Sequence, residues 1–296
     1  MAWQQLTLEI HASDAERVEA LLTSLGAVSI CLQDAADQPL LEPAPGETPL
    51  WTHPRLSALF DEAVDRDAVS RMLASEGLGE ASWAELVERE WERVWLDDFE
   101  PMRFGKSLWV CPGDTQPPVP AKTIIALDPG LAFGTGRHAT TALCLEWLEQ
   151  ANLDDCAVID YGCGSGILAI AAALLGARDV AAIDIDEQAL IATADNAGRN
   201  AVDKVITVAT PSAPLPQPAD VLIANILAQP LVELAPLFAR LVRPGGWLVL
   251  SGLLDDQPSW VSPAYTGDFT MDPPTCRAGW ARLTGIRKRV HSVSAV

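Results

Sequence analysis

The chain has 296 residues, about half of them apolar and about a fifth charged, the balance of an ordinary globular protein with room for two domains. Its 20 basic and 40 acidic residues give a formal net charge of −20, which repels nucleic acid and serves either to steer in a basic partner or only to keep the surface soluble. No run of about 18 apolar residues is present, the N-terminus Met1-Ala2-Trp3-Gln4-Gln5-Leu6 lacks a basic region followed by an apolar one, and the six cysteines form no C-x-x-C pair. These features argue against a membrane span, a signal peptide, a disulfide framework and bound metal, and they predict a cytoplasmic protein.

The first part reads as a small α+β unit. Trp3 to Ile10 alternates like a strand. Ser13, with Glu16 three residues on, predicts a capping box, and Val18, Leu21, Leu22 and Leu25 follow at helical spacing up to Gly26. Val28 to Leu32 is a second strand, and the proline-rich stretch from Pro39 to Pro49 is a loop. Arg55 to Phe60, Asp67 to Ala74 and Ser82 to Val87 complete a strand, a helix and a strand. The order βαββαβ predicts a ferredoxin-like sandwich. From Glu88 to Phe99 a charged helix carries Trp91, Trp95 and Phe99 on one stripe, and its place between two self-contained patterns marks it as a linker.

From Phe104 onward, strands alternate with helices. The strands are Ser107–Cys111, Thr123–Leu127, Ala157–Asp160, Val180–Asp184, Val205–Val208, Val221–Ile226 and Trp247–Leu250. The helices are His138–Gln150, Gly166–Leu175, Glu187–Arg199 and Pro230–Val242. This is the pattern of a doubly wound α/β sheet, closed by an antiparallel hairpin from Phe269–Met271 and Ala281–Thr284. The domains are therefore predicted at 1–87, 88–100 and 101–296.

The loop after Ala157-Val158-Ile159-Asp160 reads Tyr161-Gly162-Cys163-Gly164-Ser165-Gly166 and opens a helix. Glycines there let the backbone approach a ligand at the carboxyl end of a parallel sheet. A dinucleotide site needs G-x-G-x-x-G, but Ile167 occupies the third glycine position. Asp160 would repel a pyrophosphate and suits a cationic methionine ammonium, so the loop favours S-adenosylmethionine, with Gly162 and Gly164 as contacts. Asp184 ends the next strand, where a carboxylate reaches ribose hydroxyls, and Asp186 is the expected N-cap of the following helix. Asn225 ends Asp220-Val221-Leu222-Ile223-Ala224, where its carbonyl can accept from an amine; the alternative is an Asn that caps a helix near Pro230. Asn225-Ile226-Leu227-Ala228 resembles in part the Asn-Pro-Pro-Tyr turn of nitrogen methyltransferases, with small Ala228 leaving room for the amine to turn. His138 is a candidate base, although shaping its loop is the better reading.

The segment from Asp128 to Thr141 (Asp-Pro-Gly-Leu-Ala-Phe-Gly-Thr-Gly-Arg-His-Ala-Thr-Thr), with the Asp160–Gly166 loop, Asn225–Ala228 and Ser251-Gly252-Leu253-Leu254, closely resembles the bacterial ribosomal protein L-eleven methyltransferases. The likeness extends to Gly26–Ile30, Pro45–Thr48, Trp91-Glu92-Arg93, Pro101–Gly105 and Leu283-Thr284-Gly285, nearly the whole chain. It implies a Rossmann-like methyltransferase domain preceded by a substrate-recognition domain that swings on a linker helix. It also implies a monomer that trimethylates the α-amine and lysine ε-amines of ribosomal protein L-eleven, free or on the ribosome. By matching positions, the family's cofactor contacts fall on Thr141, Gly162, Asp184 and Asn225. Arg137, His138 and Ala139 stand where relatives often have Thr and Pro beside the His. A same-fold enzyme with another substrate and a non-catalytic ribosome-assembly factor are the alternatives.

Overall fold

The computed structural model describes residues 2–34, 54–79, 81–87, 100–113, 115–127, 137–214 and 216–289. The chain divides into two compact units, Met1–Val94 and Trp95–Val296. The expected linker helix, the Pro39–Pro49 loop and residues 128–136 of the signature segment lie outside the described residues. Among the described residues no helix is long and apolar enough to cross a membrane.

The first unit runs β1 (Ala2–Glu9), α1 (Ala15–Ser24), β2 (Ser29–Asp34), β3 (Pro54–Phe60), α2 (Arg66–Ser75) and β4 (Ser82–Val87). The strands lie in the order β2-β3-β1-β4, and every neighbouring pair is antiparallel. Alternation decides what is buried: Leu6 and Leu8 from β1 meet Leu56, Ala58 and Phe60 from β3, under Val18 and Leu22 of α1 and Val69 and Leu73 of α2. Gly26 takes φ +96 just past α1, and the Ala27 N–H reaches back to the Leu22 carbonyl, so Gly26 ends the helix as its position predicts. The capping box does not form. His11 caps a short 3-10 turn, its ring accepting from the Ser13 N–H, and α1 starts only at Ala15. The imidazole two residues earlier takes the amide, and Ser13 Oγ bonds to that ring.

The second unit begins with β5 (Met102–Phe104), β6 (Leu108–Pro112) and β7 (Thr123–Leu127), then α3 (Ala139–Gln150), β8 (Ala157–Tyr161), α4 (Ile167–Leu174), β9 (Asp179–Ile183), α5 (Glu187–Arg199) and β10 (Ile206–Ala209). It continues with β11 (Ala219–Asn225), α6 (Ala228–Leu241), β12 (Val242–Leu254), α7 (Pro258–Val261), β13 (Phe269–Met271), β14 (Thr275–Arg277) and β15 (Trp280–Arg287). The main sheet has the order β10-β9-β8-β11-β12-β15-β13, with β14 paired to β15. Strands β10 to β12 along this path are parallel, and β15 runs antiparallel to β12, β13 and β14. The doubly wound sheet and its antiparallel close thus match the expectation.

One expectation needs correction. β6 and β7 do not join the main sheet; with β5 they form a separate three-stranded sheet. The outer edge of β7 is met by a side chain instead of a strand: Asn200 accepts from the Ala126 N–H at 2.8 Å and donates to the Ala126 carbonyl at 2.7 Å.

Two apolar cores flank the main sheet. Val158, Val180, Val221 and Val249 pack with α3, α4 and the small sheet, whereas Ile159, Leu222 and Leu248 pack with Leu231, Ala235 and Phe238 of α6. Strand order reverses at β8, because β9 and β10 extend to one side and β11 returns on the other. This puts the carboxyl ends of β8 and β11 side by side, with Ile223 in register with Asp160. Ligands of open α/β sheets bind at such a switch point. Phe238 is fully buried and meets the Tyr161 ring edge-to-face at 5.1 Å. Phe238→Ala should therefore cost about 3–5 kcal/mol of stability, read as a lower denaturation midpoint. A loss below about 1 kcal/mol would contradict this packing.

Candidate functional site

Asp160 sits near the end of β8 and is fully buried. Its Oδ2 accepts from the Ala169 N–H in the first turn of α4 at 2.9 Å, where helix amides lack partners within the helix. Its Oδ1 is buried with no hydrogen-bond partner among the described residues. Burial pushes the Asp160 carboxyl up to about 7; the Ala169 bond opposes the shift and the Asp184 charge adds to it. Asp160 is thus a helix-capping carboxylate with one unused buried oxygen.

The turn that follows is set by backbone geometry. Gly162, Gly164 and Gly166 all have positive φ. At Gly162 a Cβ would stand 2.2 Å from the Ile226 side chain, so the loop after β11 can close against it only over a glycine. The Gly162 and Cys163 N–H groups both donate to the Ile183 carbonyl, at 2.7 and 3.1 Å, folding the turn over the end of β9.

Asp184 follows β9 directly and binds the loop. Its Oδ2 accepts from the Gly164 N–H at 2.9 Å, and its Oδ1 from the Asp186 N–H at 3.0 Å. Asp186 in turn accepts from Gln188 and caps α5, as its position predicts. Asp160 and Asp184 therefore lie together at the carboxyl ends of β8 and β9, close enough for the charge of Asp184 to act on Asp160. Those carboxylate acceptors suit a ligand with a cationic group and hydroxyls and disfavour a pyrophosphate, so the residues present fit S-adenosylmethionine.

Asn225 ends β11, and its Nδ2 donates to the buried Thr141 Oγ1 at 3.3 Å. The structure thus brings together two residues 84 positions apart that the sequence singled out separately. Asn225 caps no helix: α6 starts at Ala228, behind Leu227, with no side-chain cap. Ala228, the first residue of α6, is fully buried in the apolar core. His138 precedes α3, with Nδ1 2.7 Å from Thr140 Oγ1 and its ring edge-on to Trp280 at 4.4 Å. Burial pushes its pKa below the ordinary imidazole value.

Two polar residues of α5 had no role in the sequence reading. Thr193 and Asn196 are buried on the same stripe as Ala189 and Ala197, and they contact the glycine loop. The available signal was polarity on the apolar face of an amphipathic helix. A separate cavity of about 620 Å3 lies over Ala157, Ile159, Ala181 and Ile183, beneath the proline-rich stretch before β11, and none of the predicted site residues lines it.

The sequence profile described as ribosomal protein L11 methyltransferase (PrmA) matches residues 2–288. The ribosomal protein L11 methyltransferase of Nitrosococcus oceani is 50% identical over 292 residues, covering 97% of this chain and all of the relative. That of Azotobacter vinelandii is 51% identical over the same shares. The crystal structure of a ribosomal protein L11 methylase from Lactobacillus delbrueckii subsp. bulgaricus superposes with a TM-score of 0.60 at 34% identity, covering 64% of this chain and all of that one. The chain belongs to the ribosomal protein L11 methyltransferase family.

Proposed function

We propose that the chain transfers methyl groups from S-adenosylmethionine to amino groups of ribosomal protein L11, trimethylating the N-terminal α-amine and lysine ε-amines. The observation that carries this reading is the pairing of Asn225 with Thr141 beside the glycine loop. With its Nδ2 engaged by Thr141, the Asn225 amide presents Oδ1 as the acceptor for an incoming amine N–H. When bound, S-adenosylmethionine supplies an electrophilic methyl group on a sulfonium. Asp160 Oδ1 is assigned to its ammonium, the remaining lone pairs of Asp184 to its ribose hydroxyls, the Thr141 hydroxyl to its carboxylate, and Gly162 and Gly164 to backbone contact.

The amine must be neutral to act as a nucleophile. An α-amine with a pKa near 8 is about one unit short of this at neutral pH, a deficit of about 1.4 kcal/mol, while a lysine near 10.4 carries a deficit of roughly 4–5 kcal/mol. Burial of the lysine beside a positive charge lowers its pKa and reduces that deficit. Asn225 contributes by orienting the lone pair; His138, held against Thr140 and Trp280, is better placed to shape its loop than to remove the proton, which passes to water.

We assign residues 1–87 to substrate recognition, 88–100 to the linker and 101–296 to catalysis, in a cytoplasmic monomer. Residues 1–90 carry 17 acidic and 5 basic side chains, a net −12, against −8 for the remainder. The more acidic part per residue suits steering of a basic protein.

Asn225→Ala should lower single-turnover methyl transfer to ribosomal protein L11 by about 100-fold, the scale of a lost positioning contact, with a much smaller effect on calorimetric affinity for S-adenosylhomocysteine. Unchanged turnover would remove Asn225 from the mechanism. Asp184→Ala should weaken that affinity, and equal affinity in variant and parent would refute the ribose assignment. The pH dependence tests Asp160. Its folded pKa, about 7, lies above the ordinary 3.8, so the stability contributed by its neutral form is present below 3.8 and lost as pH rises through about 7. A cationic ligand prefers the ionised form. Affinity for S-adenosylhomocysteine should therefore rise about tenfold from pH 6 to pH 8, and Asp160→Asn should flatten the rise. A parent profile that is already flat would contradict the ammonium assignment.

A further inference from the structure

The glycine loop is held from behind as well as from the side of Asp184. On the inner face of α5, Thr193 is fully buried and Asn196 is nearly so. Thr193 Oγ1 donates to the Gly164 carbonyl at 3.0 Å and stands 3.3 Å from Cys163 Sγ; Asn196 Nδ2 donates to the Ser165 carbonyl at 3.0 Å. The Gly164 residue is thus gripped at both ends: its N–H by Asp184 and its carbonyl by Thr193. Helix and loop are in close contact. A Cβ at Gly166, where φ is +80, would lie 2.8 Å from Thr193 Cγ2 and 3.1 Å from the Thr193 Cα. The helix itself is fixed at its far end, where Asn200 bonds both backbone groups of Ala126 and donates to the Asn196 carbonyl at 2.8 Å.

We propose that Thr193 and Asn196 are positioning residues for the cofactor loop, holding the Gly164 and Ser165 carbonyls so that the loop is ordered before the ligand arrives. The proposal rests on the reading of this loop as the S-adenosylmethionine site. Glycine-rich segments lose more conformational freedom on ordering than any other, so a loop left free would have that cost deducted from binding. A buried carbonyl without a donor adds a further penalty. Neither residue touches the reacting atoms in this account. Their loss therefore weakens binding of the cofactor and leaves the chemical step intact once the site is filled.

Thr193→Val keeps the shape and removes the hydroxyl; Thr193→Ser keeps the hydroxyl and removes the methyl. Asn196→Asp replaces the donor with an oxygen facing the Ser165 carbonyl. All three are measured in the full chain for thermal unfolding, for calorimetric affinity towards S-adenosylhomocysteine, and for KM and kcat with S-adenosylmethionine and ribosomal protein L11. The expected result is a Kd and cofactor KM raised about tenfold in Thr193→Val and Asn196→Asp, the scale of one buried hydrogen bond, with kcat within about twofold of the parent. Thr193→Ser should return both constants to near the parent value. Equal weakening by Val and Ser would assign the effect to packing and overturn the proposal, as would unchanged affinity in Thr193→Val and Asn196→Asp or a loss confined to kcat. Absence of binding by the parent itself would instead refute the cofactor reading, and the proposal with it.

Discussion

A hydrogen bond of 2.9 Å from the Gly164 N–H to Asp184 Oδ2 joins the loops that leave the two neighbouring strands β8 and β9. Much of the site depends on it. It fixes the glycine turn against the end of β9, where Ile183 already accepts two backbone N–H groups. It also places Asp184 close enough to Asp160 to raise that residue's pKa. The same carboxylate holds the Asp186 N–H with its other oxygen, and Asp186 starts α5. Helix α5 then returns to the loop through Thr193 and Asn196. The loop is therefore set within a closed circuit of hydrogen bonds that runs from strand to loop to helix and back.

The electrostatics of this edge are one-sided. Two carboxylates, Asp160 and Asp184, stand close together, and the more deeply buried has an oxygen with no partner among the described residues. A buried charge without a counterion is costly, and proteins commonly respond by neutralising the group or by supplying a cation. The upward shift at Asp160 is the first response. A ligand ammonium would be the second. The same arrangement explains why a βα turn rich in glycine does not serve a dinucleotide here, since a pyrophosphate would meet carboxylates in place of free amides.

What was legible in the sequence was chiefly local. The glycine turn, the strand-ending Asp184 and Asn225, and the cap at Asp186 follow from short-range pattern, because strand ends and helix starts are marked by neighbouring residues. The first unit was readable for a related reason: Leu6, Leu8 and Ile10 alternate, and α1 and α2 bury residues at helical spacing. Partnership between distant segments was less accessible. Ser107–Cys111 and Thr123–Leu127 read correctly as strands, but periodicity carries no record of which sheet they enter, and Asn200 closes the edge that a further strand would have used. Ser13 lost its cap to the His11 ring. Thr193 and Asn196 were missed because polar residues on an apolar face look like noise until the loop behind them is placed.

The central claim is that this site delivers methyl groups to amines of one basic protein. It is tested most directly by intact-protein and peptide mass spectrometry of purified ribosomal protein L11 after incubation with the chain and S-adenosylmethionine. The account predicts successive methyl additions confined to the N-terminal α-amine and lysine ε-amines, rising to three on each modified nitrogen. A ribosomal protein whose mass is unchanged, or methyl groups on atoms other than these nitrogens, would contradict it.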